Sequence, residues 1–232
     1  MKVSILKEIV NTYTKRLGQL GHKWEPLYEY PFHWSTQDAL DKDTIQKLLD
    51  TFKSEHTQRL WKRERYRPIE TLKLFNEFAH NMSLDALNSL YNSQRTLDDR
   101  IDLFNFMAEE ILNHLRKTND HNNIADSHWD LQWVSLLISA KNPGELAFYH
   151  RDLFFKGAQT LEMKPQPLID DYSRYTKMIN IIFSFLKNSA IPEKRMREIK
   201  NAPPEVIEHP FKNVAVEALA LYLKIDIFEA PR

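Results

Sequence analysis

The stretch TLDDRIDLFNFMAEEILNHL, residues 96–115, decides the fold class of this chain. Its apolar residues recur at alternating steps of four and three, which places them on one face of an α-helix. Thr96 followed by Asp99 predicts a capping box at the start of that helix. The residues of the apolar face are Leu97, Ile101, Phe104, Ala108, Ile111 and Leu115.

The same periodicity recurs along the rest of the chain. Residues 168–186 predict a helix with apolar side chains on two faces, which is typical of a central helix. Further helices are predicted at residues 3–20, 42–55, 68–79, 83–91, 128–140, 152–161 and 211–224, with Pro68 in a first turn and Ser83 as an N-cap. No sustained apolar/polar alternation predicts a strand. The expected fold is all-α, a single multi-helix, bundle-like domain.

Two segments interrupt the helical pattern. Residues 118–127 are polar and predict an exposed loop, and residues 201–210 contain three prolines. We therefore expect residues 1–200 to form a helical domain. Residues 201–232 are then a Pro-rich connection and a C-terminal helix packed on the same domain. No internal repeat is found.

Composition excludes several classes of protein. The 232 residues include 32 Lys or Arg and 32 Asp or Glu, so the formal net charge is zero, and cysteine is absent. Thiol catalysis, Cys–zinc sites and disulfides are excluded. The four glycines form no phosphate-binding loop. With no apolar leader and no run long enough to span a bilayer, a cytoplasmic protein without membrane contact is expected.

The most suggestive functional stretch is RLWKRERYR, residues 59–67, which we call the basic patch. Guanidinium groups suit phosphates, and an aromatic ring can stack on a base. The alternative is a solvated basic rim at a helix end. The predicted nucleic-acid-binding residues are Arg59, Trp61, Lys62, Arg63, Arg65 and Arg67. A weaker second basic cluster contains Lys194, Arg195, Arg197 and Lys200.

The stretch HKWEPLYEYPFHW, residues 22–34, concentrates aromatic side chains. Pro26 and Pro31 predict a connection between helices rather than a helix. Large aromatic side chains in such a connection favour a plug in the protein's own core. A base-binding pocket is the alternative. The side chains concerned are Trp24, Tyr28, Phe32 and Trp34.

Two further groups of residues have the chemistry of metal sites or nucleases, but a structural role is favoured for both. Histidine and aspartate around residues 114–130 have donor types that bind zinc or iron, but no helix-face motif, so a solvated loop is favoured and no metal is predicted. An Asp…Glu-x-Lys pattern resembles metal-dependent nucleases, but its surroundings are helical rather than β. The residues are His114, His121, Asp126, His128 and Asp130 for the metal, and Asp152, Glu162 and Lys164 for the nuclease pattern.

Arg116 and His121 have the Arg-x4-His spacing that resembles the HEPN ribonucleases, which are also all-α. The resemblance implies that the arginine steadies a phosphate and the histidine serves the 2′-hydroxyl chemistry. Lys117 departs from the usual Asn, Asp or His after the arginine. A helix end followed by a solvated loop is the alternative.

Several stretches between residues 20 and 188 together resemble the helical N-terminal region of McrB-type AAA+ restriction proteins. They are HKWEPLYEY, LNSLYNSQRTLDDRIDLFNFMAEEIL, HWDLQWVSLLISAKNPGELAFYHRDLFFKGAQTL and DDYSRYTKMINIIFSFL. The resemblance implies target recognition or assembly ahead of a motor that recruits a nuclease to modified or foreign DNA. The motor motif G-x-x-x-x-G-K-[ST] is missing, so no catalytic residue is carried over.

The sequence therefore predicts a non-catalytic recognition domain of a restriction- or defence-type system that contacts DNA through the basic patch. No catalytic residue and no cofactor is predicted. The alternatives are a module that docks on a motor or nuclease partner without touching DNA, and a HEPN-like ribonuclease. The zero net charge favours the docking module over a protein whose whole surface binds nucleic acid.

Overall fold

The computed structural model describes residues 1–34, 44–52, 55–61, 67–118, 129–199, 202 and 204–228. The description does not extend to the side chains of His22, Phe32, His33, Trp34, Thr44, Glu55, His56, Glu205 and Val206. The fold of these residues is all-α, with no strand among them. Helices α1 to α5 are Val3–Arg16, Pro26–Trp34, Thr44–Phe52, Glu55–Gln58 and Pro68–Phe78, and a 3-10 helix lies at Gly21–Trp24. Helices α6 to α13 are His80–Tyr91, Leu97–Thr118, Leu131–Lys141, Arg151–Thr160, Tyr172–Lys187, Ile191–Glu198, Pro204–Glu208 and Asn213–Leu223.

The helix predicted from residue 96 onwards is confirmed as α7, which packs along α6. Of its six predicted apolar residues, Leu97 is half-buried and the other five are buried: Ile101, Phe104, Ala108, Ile111 and Leu115. The backbone N–H of Asp99 donates to the Thr96 hydroxyl at 3.2 Å, so the predicted cap is present. A one-sided apolar stripe therefore predicted both the helix and the face that it buries.

Two predicted helix starts are wrong by a turn. Helix α10 begins at Tyr172, where the Asp171 carboxylate caps it by accepting from the Arg174 N–H, so Leu168 and Ile169 precede the helix and are exposed. Helix α6 begins at His80, and Ser83 is not its N-cap. The buried hydroxyl of Ser83 instead donates to backbone carbonyls at the end of α5 and the start of α6.

Residues 26–34 form helix α2, so the prediction of a non-helical connection is wrong. Pro26 occupies the first turn, where proline is tolerated because that N–H has no helical partner. Pro31 lies inside the helix and lacks the N–H that would bond to the carbonyl of Leu27. The side-chain amide of Asn213 donates to that carbonyl at 2.6 Å. A distant residue thus satisfies the group that the proline leaves without a backbone donor.

Helices α8 and α13 are buried all round along most of their length, which the sequence did not indicate. Helix α10, predicted as a central helix, contacts α1, α7, α11 and α13. The residues 132–140 of α8 and 213–220 of α13 are all buried. Helix α13 contacts α1, α9 and α10, and α8 contacts α2 and α6. The proline-containing connection before α13 holds the short helix α12, which packs on α11. Within the described ranges, no helix is long and apolar enough to cross a membrane.

An extended segment, residues 146–150, runs through the core between α8 and α9. A buried backbone without helix or sheet partners needs other hydrogen bonds. Asn213 and Ser135 accept from the N–H groups of Phe148 and Tyr149, both at 2.8 Å. The hydroxyls of Tyr172 and Tyr175 donate to the carbonyls of Ala147 and Phe148 at 2.7 and 2.8 Å. Side chains from three helices therefore replace the missing backbone partners.

Candidate nucleic-acid interface

Arg59, the first residue of the basic patch, lies at the surface just after α4. Its guanidinium carbon is 4.7 Å from the centroid of the Phe228 ring. That ring packs against Trp24, with the ring centroids 5.6 Å apart. A guanidinium over an aromatic face keeps its N–H donors at the ring's edge, in reach of solvent or a ligand. The basic patch and the aromatic stretch therefore meet at Phe228.

The remaining members of the basic patch have different positions. The Trp61 side chain is only 6% exposed and packs edge-on against Trp133, with centroids 6.1 Å apart. In this arrangement its ring is not available to stack on a base, so it serves the core instead. Arg67 is exposed immediately before α5. Lys62, Arg63 and Arg65 lie outside the described residues.

The aromatic stretch is a plug as predicted, for those of its side chains that the structure describes. Trp24, Tyr28 and Tyr30 are buried. The Tyr28 hydroxyl donates to the Glu217 carboxylate, and the Tyr30 hydroxyl is 3.0 Å from that of Ser139. The side chains of Phe32 and Trp34 lie outside the description. Each tyrosine thus combines a buried ring with a hydrogen-bonded hydroxyl.

A cleft of about 270 Å³ lies beside Trp24, and we call it the basic cleft. The chain bends sharply here, with Gly18 at φ +83° and Gly21 at φ +59°, a region that glycine adopts without strain. The bend brings the end of α1 and the 3-10 helix against α13. The lining residues are Arg16, Gln19, Leu20, Lys23, Trp24 and Leu221.

Asp226 connects the basic cleft to Arg59, because the charges of both Lys23 and Arg59 act on its carboxylate. Lys23 donates to the Asp226 carboxylate at 2.5 Å. Partial burial works to raise the pKa of Asp226, but the hydrogen bonds from Lys23 and the Phe228 N–H, and the charges of Lys23 and Arg59, lower it overall. Among the described carboxylates, none forms an ion pair with Arg16. Two cations from distant parts of the chain, Lys23 and Arg59, thus act on one carboxylate.

The sequence did not predict this cleft. Its cations, Arg16 of α1 and Lys23 of the 3-10 helix, lie seven residues apart, and part of its wall, Leu221, comes from α13. The available signal was a pair of glycines, Gly18 and Gly21, between two basic residues. That pattern predicts a sharp turn but not what packs against it.

Of the second predicted basic cluster, Lys194 and Arg197 are exposed and Lys200 lies outside the described residues. Arg195 is instead buried in α11. Its guanidinium binds Glu217 of α13 through Nε and Nη2, both at 3.1 Å. Burial raises the pKa of Glu217, and the hydrogen bonds from Arg195 and Tyr28 oppose that rise. A glutamate within the apolar helix NVAVEALALYL was the sequence signal for such a pair. The pair ties α11 to α13 and α2.

The described members of the metal-ligand and nuclease-like constellations have structural contacts. Asp130 caps α8 by accepting from the Trp133 N–H at 2.9 Å, and His114 lies on α7. His121, Asp126 and His128 lie outside the description, and among the described residues no group of acids and histidines could hold a metal ion. In the nuclease-like pattern, Asp152 pairs with Lys156 and Glu162 with Lys2.

The HEPN-like pair is only half described. Arg116 lies in the last turn of α7 and donates to the Asn113 side chain at 3.3 Å. Its proposed partner, His121, lies outside the described residues, so the ribonuclease alternative stays a prediction.

The basic surface therefore contains Arg59 over Phe228, Trp24 packed against that ring, and the basic cleft, which Trp24 also lines. Basic donors and an apolar wall in one place suit a ligand that carries both a phosphate and a planar group. No known protein family, curated protein or solved structure matches this chain.

Proposed function

We propose that this chain is a non-catalytic recognition domain that contacts DNA through the basic patch, within a cytoplasmic restriction- or defence-type system. The observation that carries the proposal is the exposed Arg59 guanidinium, held 4.7 Å from Phe228 and next to the basic cleft. Phosphate contacts supply most of the free energy of non-specific DNA binding. Because the whole chain has zero formal net charge, the contact is local.

Pre-ordering of Arg59 supports a recognition role. A free arginine loses side-chain entropy when it binds a phosphate, whereas one stacked on Phe228 has lost part of it already. Arg67 extends the exposed basic character towards α5. Because Trp61 is buried, stacking on its ring is no part of the proposal, which rests on phosphate contacts from the arginines and lysines.

The resemblance to McrB-type N-terminal regions supports the proposed setting. In that setting an AAA+ motor or a nuclease subunit is the partner and performs the chemistry. This chain contributes the recognition surface, with no catalytic residue of its own. The absence of the motor motif G-x-x-x-x-G-K-[ST] from this sequence agrees with a recognition role separate from the motor.

Fluorescence anisotropy with short duplexes tests the proposal. Arg59→Gln is expected to weaken binding and to reduce the slope of log K against log salt by about one, because one phosphate contact is lost. Arg151→Gln is the matched control, since Arg151 is also exposed and lies 5.4 Å from an aromatic ring, that of Phe155. Equal losses in the two variants, or no binding even at low salt, would contradict the proposal.

Modified and unmodified cytosine in otherwise identical duplexes test the recognition part. A restriction-type recognition domain is expected to prefer one of them. Arg59→Gln should lower both affinities by the same factor, because a phosphate contact carries no sequence information. Equal wild-type affinities for the two duplexes would leave DNA binding without recognition and would contradict the restriction role.

A second candidate function, docking on a protein partner, has its own observation. Leu168 and Ile169 are 90% and 74% exposed, side by side, next to a cleft lined by Asp98, Asp102 and Asp170. Adjacent exposed apolar side chains are typical of contact sites. A motor or nuclease subunit that co-purifies with the wild type, and not with the Leu168→Asp/Ile169→Asp variant, would support it. Co-purification unchanged by these substitutions would exclude this surface.

A further inference from the structure

We infer that the basic cleft binds the phosphate monoester of a single nucleotide, with the phosphate on Arg16 and Lys23 and the base against Leu20 and Leu221. The inference rests on the proposed function and deepens it, because the cleft adjoins the Arg59 surface. It adds an end-on or free-nucleotide site to a surface otherwise suited to the sides of a DNA strand.

The cations of the cleft have donors to spare. An ammonium has three N–H donors, and Asp226 accepts from that of Lys23 at 2.5 Å. Arg16 has five donors and no ion-pair partner among the described carboxylates. Gln19 adds an amide to the same wall. A phosphate monoester, with its three exposed oxygens, uses several such donors at once.

The bend between α1 and the 3-10 helix places both cations at the same cleft. Arg16 ends α1, and Gly18 and Gly21 turn the chain so that Lys23 reaches the same cleft. Arginine in a last helical turn also complements the helix dipole, but a dipole does not require a lysine seven residues later. A ligand in the cleft, by contrast, would contact both Arg16 and Lys23.

The remaining wall is apolar. Leu20 and Leu221 are half-buried and supply the apolar surface that a base can contact, whereas Trp24 is buried in the core plug and supplies little. The volume of about 270 Å³ lies just below the range of ligand pockets, about 300–1,000 Å³. A ligand of mononucleotide size fits this scale, whereas a duplex does not enter it.

Isothermal titration calorimetry of the full chain tests the site with thymidine 5′-monophosphate. Arg16→Gln and Lys23→Gln are expected to weaken binding about tenfold or more, since each removes a charged hydrogen bond to phosphate. Lys15→Gln is the matched control, because Lys15 lies in the same helical turn but does not line the cleft. Unchanged thermal unfolding of all three variants shows that the fold is retained.

Three further ligands separate the parts of the site. Thymidine, which lacks the phosphate, and deoxyribose 5-phosphate, which lacks the base, are each expected to bind at least tenfold more weakly than the nucleotide. Thymidine binding as tightly as its monophosphate, or Lys15→Gln matching Arg16→Gln, would overturn the inference. So would the absence of nucleotide binding by the wild-type chain.

Oligonucleotides with a 5′-phosphate or a 5′-hydroxyl distinguish the two sources of this chemistry. Tighter binding of the phosphorylated strand, lost in Arg16→Gln, identifies a strand end as the ligand, whereas binding of the free nucleotide alone identifies a small-molecule site. Duplex binding that depends on Arg59 without any nucleotide binding would overturn this inference alone. Nucleotide binding without duplex binding would overturn the proposed DNA role and leave the cleft as a nucleotide site.

Discussion

The side-chain amide of Asn213 donates a 2.6 Å hydrogen bond to the backbone carbonyl of Leu27. That carbonyl is the one that Pro31 cannot serve, because proline has no N–H for the residue four positions earlier. The same amide accepts from the N–H of Phe148 at 2.8 Å. One buried side chain therefore satisfies both a proline-interrupted helix and the extended core segment.

Asn213→Ala is expected to lower the free energy of unfolding by about 2–4 kcal/mol, because it leaves two buried backbone groups without partners. In a Pro31→Ala background the loss should be smaller, since the alanine introduced there supplies an N–H for the Leu27 carbonyl. Urea unfolding of the four proteins of this cycle measures the difference. Losses that are equal in the two backgrounds would contradict the link between Asn213 and Pro31.

For the buried Arg195–Glu217 pair, we expect the first replacement to lower the free energy of unfolding and the second to restore part of it. Arg195→Met alone should cost about 3–5 kcal/mol, because it leaves the Glu217 carboxylate buried without its cation. Adding Glu217→Gln should recover about 1–3 kcal/mol, since the amide is neutral and still accepts from Tyr28. Denaturant unfolding checks both values. A double variant less stable than Arg195→Met would show that the charges stabilise the fold independently of each other.

Stability is expected to fall at alkaline pH. Burial raises the pKa of Tyr30 to about 12 from an ordinary value of 10.0, despite the opposing hydrogen bond with Ser139. The unfolded chain releases the tyrosine protons first, so the stability is fully present below pH 10 and is lost as the pH rises from 10 towards 12. Burial also raises the pKa of Tyr13, Tyr28, Tyr149, Tyr172 and Tyr175.

Tyrosinate absorbance at 295 nm and circular dichroism, followed together, check this expectation. The buried tyrosines should titrate in step with the loss of helix, and Tyr30→Phe should make the decline of stability with pH shallower. Titration of all nine tyrosines near pH 10 in a chain that stays helical would contradict the burial.

At Gly157, helix α9 packs closely against side chains of α10 and α13. A Cβ atom there would lie 3.1 Å from Leu219 Cδ2 and 3.2 Å from Met178 Cε. Gly157→Val is expected to destabilise the fold by about 1–3 kcal/mol through overpacking. Gly144→Val is the control, since nothing lies within 4 Å of a Cβ at that position. Thermal unfolding midpoints compare them, and similar shifts would show that α9 and α13 adjust freely.

The sequence predicted those helices that carry one apolar stripe, because the stripe gives both the period and the buried face. Helix α7 is the example. It did not identify α8 and α13 as buried all round, since such a helix is apolar all round and has no stripe. Helix α2 was missed because the rule about internal proline takes no account of Asn213, which lies 186 residues along the chain from Leu27. Local patterns do not contain distant partners.

In the candidate site, too, local sequence predicted single residues but not their distant partners. Arg59 was predicted from a contiguous run of charges, but its partner Phe228 comes from the opposite end of the chain. Local charge likewise suggested a surface position for Arg195, whereas Glu217 on another helix explains its burial. The basic cleft combines residues 16–24 with Leu221 of α13, so no single stretch predicts it.

The buried position of α13 also affects when the protein can fold during translation. Helices α1, α9 and α10 all pack on residues 213–223, which the ribosome makes last among these elements. Until that helix leaves the exit tunnel, the nascent polypeptide holds three apolar helix faces with nothing to cover them. The core then closes late and over long sequence separations, an order of events that exposes an emerging chain to aggregation.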